Sequence, residues 1–213
     1  MSRSEKAADA VAKTASSPRR KPAQQRSRAR LDQILAAATA LIGQGGSEHL
    51  KMSEVASRAG ISIGSLYQYF PDKAALIRQL AERYHAENRR CVVEALASVE
   101  TLEALRERFN SLVDTCYALV RQEPVFRDIW SGMQADKALM NLELAESRVC
   151  GEILAQAVRR VRPDADPESL AARCFLIWQL GEATFRLAVT VAPDEGAVYV
   201  ETYKRMSWSE MTA

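Results

Sequence analysis

Apolar residues recur in this chain at helical spacing and nowhere alternate as a strand requires. Leu31, Ile34, Leu35, Ala38, Leu41 and Ile42 fall on one stripe of a 3.6-residue repeat, and Leu76, Ile77, Leu80 and Tyr84 on another. Leu139, Leu142, Val149, Ile153 and Val158 continue the pattern far downstream. No hairpin dipeptide breaks the series. The interruptions are of the kind that end helices: Gly43, Gly45 and Gly46, then Pro71-Asp72, Pro124, Pro163, Pro167 and Pro193-Asp194. The pattern predicts an all-α protein of about nine helices without internal repeats. Beyond the first 98 residues the helices are expected over 102–121, 126–133 (a short one), 136–160, 168–191 and 195–208. With 213 residues, 47% of them hydrophobic, the chain is long enough to bury a core.

Several function classes are excluded or disfavoured. Apolar runs fall short of the roughly 18–20 residues that span a bilayer. The polar, basic start has no apolar segment of a secretory signal, so a cytoplasmic location with no membrane partner is expected. Cys91, Cys116, Cys150 and Cys174 form no C-x-x-C pair and are expected to be reduced core residues. His49 and His85 are the only histidines, which argues against His-based hydrolysis or a His-rich metal site. With no Gly-rich phosphate loop and no convincing nucleophile–base pair, an enzyme is disfavoured, and no cofactor or metal is expected. Charge is placed unevenly. Residues 1–30 sum to +7, the whole chain to +2 and the remainder to −5. A basic arm on an acidic body suits a polyanion, although a solvated tail without a partner fits equally well.

The densest information lies in KMSEVASRAGISIGSLYQYFPDKAALIRQL. Met52, Val55, Ala56 and Ala59 make a two-turn apolar face. Gly60 stands where a helix end needs a left-handed residue, and Ser62 can cap a new helix. Leu66 and Phe70 form the next face, and Pro71 ends it. Ala56 and Ala59 are small enough for the second helix to cross closely, with Ile61 and Leu66 filling the gap. Two short helices joined in this way form a helix-turn-helix, whose second helix projects its first residues outward.

Ala59-Gly60-Ile61-Ser62, Gly64, Leu66-Tyr67, Tyr69-Phe70, Lys73 and Leu76 resemble the signature of the tetracycline-repressor (TetR) family, and the upstream helix with Ala37-Ala38 and Leu41-Ile42 fits as well. The resemblance covers residues 25–80. Ser47 departs from it where an aromatic is usual, and Lys51 where a capping Thr is usual. Lys51 also puts a cation at a helix N-terminus that disfavours it. The resemblance implies a three-helix DNA-binding domain and a C-terminal helical domain that dimerises and encloses a ligand pocket. The boundaries drawn are a disordered basic arm over 1–24, the DNA-binding domain over 25–87 and the regulatory and dimerisation domain over 88–213. The implied function is a homodimeric repressor, released from palindromic double-stranded operator DNA by a small apolar or aromatic effector. The alternatives are a constitutive regulator and a protein adapter. Carried over by position, Ile63, Gly64, Ser65 and Gln68 face the bases. Ser62, Tyr67, Tyr69 and Lys73 approach phosphates, with Lys51 and Ser53 beside them on the first helix of the motif. The chemistry agrees: a tyrosine hydroxyl or a lysine can hold phosphate, and Gln68 suits adenine. Core packing is the alternative for each tyrosine. Arg26 and Arg28, expected just before the first helix, reach DNA or are merely solvated.

The C-terminal part carries weaker signals. Cys174, Ile177, Trp178, Gly181, Phe185 and Ala188 make one stripe of the 168–191 helix, while Leu176, Leu180, Ala183, Leu187 and Val191 make a second. Two apolar faces imply core on one side and a partner subunit on the other. Ile177, Trp178, Gly181, Phe185 and Ala188 are taken as the dimer interface. Phe126, Trp130 and Met133, with Tyr117, Arg148, Gln179, Glu182 and, more weakly, Cys116, are the candidate pocket residues. A plain core stripe and an intrahelical Glu182–Arg186 pair are the alternatives.

Overall fold

The computed structural model describes residues 20–123, 125–126, 130 and 136–213. Among them lie eight helices: α1 (Arg20–Gly45), α2 (Met52–Arg58), α3 (Ile63–Tyr69), α4 (Lys73–Leu96), α5 (Leu102–Gln122), α6 (Lys137–Val161), α7 (Pro167–Ala188) and α8 (Pro193–Thr212). Local chemistry starts most of them. The side chains of Ser62, Asp72, Thr101, Asp136 and Asp166 each accept a hydrogen bond from a first-turn backbone N–H. Pro167 and Pro193 sit in first turns, where no intrahelical N–H is needed. The helix expected over 126–133 lies largely outside the described residues. Val125, Phe126 and Trp130 carry helical backbone.

Two expectations are corrected at the N-terminus. α1 begins at Arg20, so residues 20–24 are helical where a disordered arm was drawn, and Arg26 and Arg28 lie on the helix rather than before it. Propensity explains the difference: Arg, Lys, Ala and Gln favour a helix even without an apolar stripe. The rest of that arm lies outside the described residues.

Two apolar clusters organise the chain. The first joins Ile34, Ala38, Ile42, Val55, Leu66, Phe70, Leu76 and Leu80 from α1–α4. The second joins Val92, Leu96, Leu105, Phe109, Leu154, Cys174, Ile177 and Val200 from α4–α8. α4 belongs to both, so the boundary drawn after residue 87 falls inside a continuous helix. Polar ties reinforce the junction. Arg78 Nη1 lies 2.9 Å from Asp136 Oδ2, and Arg89 Nη1 donates to both carboxylate oxygens of Glu146 at 2.7 Å. The Arg78 hydrogen bond, with backbone N–H groups behind it, holds the Asp136 carboxyl below its ordinary range. α6 packs on α7 and α7 on α8. Gly151 permits the first of these crossings, because a Cβ there would come within 2.8 Å of the Phe175 Cα. Of the cysteines, Cys150 and Cys174 are buried as expected, but Cys91 is exposed. Among the described residues no helix is long and apolar enough to cross a membrane.

Candidate functional site

α2 and α3 cross around Val55, Ala56 and Leu66, all buried. The turn between them closes with Ile61 N donating to Ala56 O at 3.0 Å, and Gly60 takes φ +66°, a region costly for a side chain. Leu66 anchors α3 from beneath with no exposed surface. The opposite face of α3 is therefore turned to solvent. Ile63 is 42% exposed, Tyr67 50% and Tyr69 37%, and Gly64 and Gln68 are exposed beside them. That exposure removes core packing as the reading for either tyrosine.

The remaining residues of this surface are more constrained. Ser62 Oγ accepts from Ser65 N at 3.1 Å and donates to Ser65 Oγ at 2.9 Å, so both hydroxyls serve the helix start. Lys51 Nζ lies 3.3 Å from Glu54 Oε1, an ion pair that offsets the cation at the start of α2. Ser53 is exposed on the same helix. Lys73 has partners within the protein. Its Nζ donates to the carbonyls of Ser47 and Glu48 at 3.1 and 3.2 Å, tying the start of α4 to the loop after α1. The partial negative charge of carbonyls near a helix C-terminus attracts the ammonium.

A cavity of about 760 Å³ lies between the two clusters. α1 contributes Asp32, Ala36, Thr39 and Ala40, and α4 contributes Tyr84, His85 and Asn88. Phe109 and Cys116 line it from α5, Glu143 from α6, Trp178, Gly181, Glu182 and Phe185 from α7, and Tyr203 from α8. Phe126 and Trp130 also reach it. The exposed Asp32, Arg83, Glu87 and Arg90 mark its mouth, where Arg83 Nη1 lies 3.3 Å from Asp32 Oδ1. One wall is ionisable. His85 Nε2 lies 3.0 Å from Glu143 Oε2, and Ser147 Oγ donates to Glu182 Oε1 at 3.2 Å. Burial pushes Glu182 up to about 10, and its neighbour Glu143 adds to the effect. Burial acts on Glu143 too, but the hydrogen bonds from His85 and Glu182 outweigh it and hold that carboxyl below its ordinary value.

Residues 103–213 match the family described as "Tetracyclin repressor-like, C-terminal domain", and residues 34–80 match "Bacterial regulatory proteins, tetR family". The chain belongs to the TetR family. A 50-residue stretch is 44% identical to the HTH-type transcriptional repressor KstR of Mycolicibacterium smegmatis, a match covering 24% of each chain. The similarity thus spans about a quarter of that relative's length. Two solved structures share the fold more widely. A TetR-family transcriptional regulator from Streptomyces coelicolor aligns at TM-score 0.68 and 24% identity, over 87% of this chain and 97% of that one. The Thermus thermophilus repressor FadR, in complex with lauroyl-CoA, aligns at TM-score 0.63 and 18% identity, over 85% and 94%.

Within this TetR-family fold the C-terminal expectations divide. Phe126, Trp130, Cys116 and Glu182 line the cavity. Tyr117, Arg148 and Gln179 are not among its lining residues. Tyr117 is buried behind the wall and stacks on Phe185, while the exposed Arg148 sets its guanidinium over the Phe175 ring, 4.5 Å from the centroid. Met133 lies outside the described residues. The residues taken as the dimer interface are corrected. Ile177, Gly181, Phe185 and Ala188 are buried in the protomer's own core, and Trp178 faces the cavity. The second stripe is the exposed one: Leu176 is 56% exposed and Leu180 43%, with Leu187 on α7 and Val198 and Met206 on α8 also exposed. His85 and Glu143 were missed. A readable signal existed, because both occupy buried helical registers: Ala81, His85, Asn88, Val92 on α4 and Leu139, Glu143, Ser147, Cys150 on α6.

Proposed function

We propose that the chain is a sequence-specific, ligand-responsive transcriptional repressor that binds operator DNA through α2 and α3, acts as a homodimer and works in the cytoplasm. The observation that carries this reading is the outer face of α3, where Ile63, Tyr67, Gln68 and Tyr69 stand exposed on a helix anchored from beneath by Leu66. The tyrosines and Lys51 suit phosphate, whereas Ile63, Gly64 and Gln68 suit base edges. The 50-residue match to a transcriptional repressor supports the repressor role. The exposed stripe Leu176, Leu180, Leu187, Val198 and Met206 supports dimerisation, because two such stripes bury one another across a twofold axis.

Effector control is supported by the cavity's position. Its lining includes α1 and α4, on which α2 and α3 rest, so a ligand that fits one arrangement of these helices better than another shifts the DNA-binding population. The complex of a similarly folded repressor with lauroyl-CoA is in keeping with this. The test is selection of bound sequences from random duplex DNA, followed by affinity measurements at several salt concentrations. A palindromic site is expected, with affinity that falls steeply as salt rises. Absence of any preferred sequence would leave only charge-driven binding and remove the operator reading.

A further inference from the structure

α1 presents two faces. Ile34, Leu35, Ala38 and Ile42 are buried in one cluster with Val55 and Ala56 of α2 and Leu66 of α3, so this side of the helix carries the reading helices. At about 100° per residue, Asp32, Ala36, Thr39 and Ala40 fall on the other side, where they line the cavity. One helix therefore separates the cavity from the core of the DNA-binding part. Ala36, Thr39 and Ala40 are short, so an occupant on that side meets α1 close to its backbone.

The walls are unequally fastened. α4 is held to α6 along its length by Arg78 with Asp136 at 2.9 Å, His85 with Glu143 at 3.0 Å and Arg89 with Glu146 at 2.7 Å. Asp136 also caps α6, so the first of these pairs fixes the start of that helix. α6 in turn packs on α7, where Gly151 brings the two backbones together. α1 meets α4 differently. It shares an apolar cluster with Leu76 and Leu80 in the first turns of α4. Farther along, the cavity mouth is bridged by Arg83 and Asp32, 3.3 Å apart, with side chains 43% and 69% exposed. Exposed pairs of this kind contribute at most about 1 kcal/mol. α4 thus belongs mechanically to the regulatory side, and α1 is the wall that yields.

We propose that α1 is the moving wall of the cavity: an occupant that reaches Ala36, Thr39 and Ala40 displaces α1, with α2 and α3 on its far side, while α4 stays fixed on α6. This rests on the reading of the cavity as the effector site and names the element through which an occupant acts. Bulk added to the cavity face of α1 should then imitate an occupant, and the same bulk added to the opposite wall should do so far less.

The test uses the full chain, the operator selected from random duplex DNA and a neutral apolar fluorescent probe, N-phenyl-1-naphthylamine. Ala40→Leu fills the cavity from α1 and Cys116→Leu fills it from α5. Both should weaken the probe by about tenfold or more. Without any probe, Ala40→Leu should shift operator affinity at least about fivefold more than Cys116→Leu, in the direction in which the probe shifts the parent. Movement is read directly with spin labels at Gln33→Cys on α1, Glu82→Cys on α4 and Ala145→Cys on α6, all exposed positions, with the exposed Cys91 replaced by serine. The probe should change the α1–α6 distance and leave the α4–α6 distance as it was. An equal or larger shift for Cys116→Leu overturns the inference, as does an α4–α6 distance that changes as much as α1–α6. In both cases a parent whose operator affinity responds to the probe keeps the effector reading standing. A parent that ignores the probe at saturation, or does not bind it, removes the effector reading and this inference together. Should either leucine variant fail to fold, the label distances decide.

Discussion

Gln68, Tyr67, Lys51 and Lys73 sit within one surface yet hold different partners, so their loss should be felt differently. Gln68 is exposed on α3 and is the only long amide there, so Gln68→Ala should cost about 1–3 kcal/mol on the preferred operator and leave random-sequence affinity nearly intact. Tyr67→Phe should weaken all sequences alike, by about 1 kcal/mol for one lost neutral hydrogen bond. Lys51 is exposed and pairs with Glu54 on the surface, so its removal should flatten the salt dependence by roughly one unit with little effect on stability. Lys73 already donates to Ser47 and Glu48, so Lys73→Ala should lower the free energy of unfolding by about 1 kcal/mol. Salt titrations and thermal melts on the four variants separate these outcomes. A Lys73→Ala protein as stable as the parent would return that residue to a phosphate role.

At the scale of a helix, α7 shows how one element serves two surfaces. Its inner stripe meets the core so closely that a Cβ on Gly181 would lie 2.8 Å from the Tyr203 hydroxyl, which donates to Ile177 O at 2.9 Å. Gly181→Leu should therefore destabilise the protomer itself, by about 1–3 kcal/mol of overpacking, and narrow the cavity it lines. Leu180 points the other way. Leu180→Glu should leave the protomer folded and split the dimer, because it places like charges on both sides of a twofold contact. Sedimentation at micromolar concentration reads the difference. A Leu180→Glu protein that still sediments at twice 23.6 kDa would move the interface elsewhere.

For the whole molecule, the buried carboxyl pair links stability to pH. Burial pushes Glu182 up from an ordinary 4.5 to about 10 in the folded chain, so over this window the folded state retains a proton that the unfolded chain has released. Unfolding then releases that proton, and stability falls as pH rises through this window, by at most about 1.4 kcal/mol per pH unit. Glu143 acts in the opposite sense. Its value is lowered, so its contribution is present above the ordinary carboxylate range and is lost on acidification. The unfolding midpoint between pH 6 and 9 should fall more steeply for the parent than for Glu182→Gln. Equal slopes would show Glu182 ionised in the folded state.

The helix pattern, the turn at Gly60, the cap at Ser62 and the exposed α3 face were legible in the sequence because each depends on residues within a few positions of one another. A left-handed glycine, a capping serine and an apolar repeat act locally. The C-terminal site was legible only in pieces, because it is assembled from six helices. α7 carries two apolar stripes of similar strength, and no local rule says which one its neighbours cover. Only the packing of α8 against Gly181 and Ile177, and of α6 against Cys174, turned that stripe inward and left Leu176 and Leu180 outside. Lys73 likewise reads as a free cation until the loop at Ser47 is folded beside it. His85, Glu143 and Glu182 lie on three separate helices, and the upward push on Glu182 is a product of their burial together. Solvent exclusion and long-range neighbours are properties of the tertiary structure, and they decided which ionisable groups became a site.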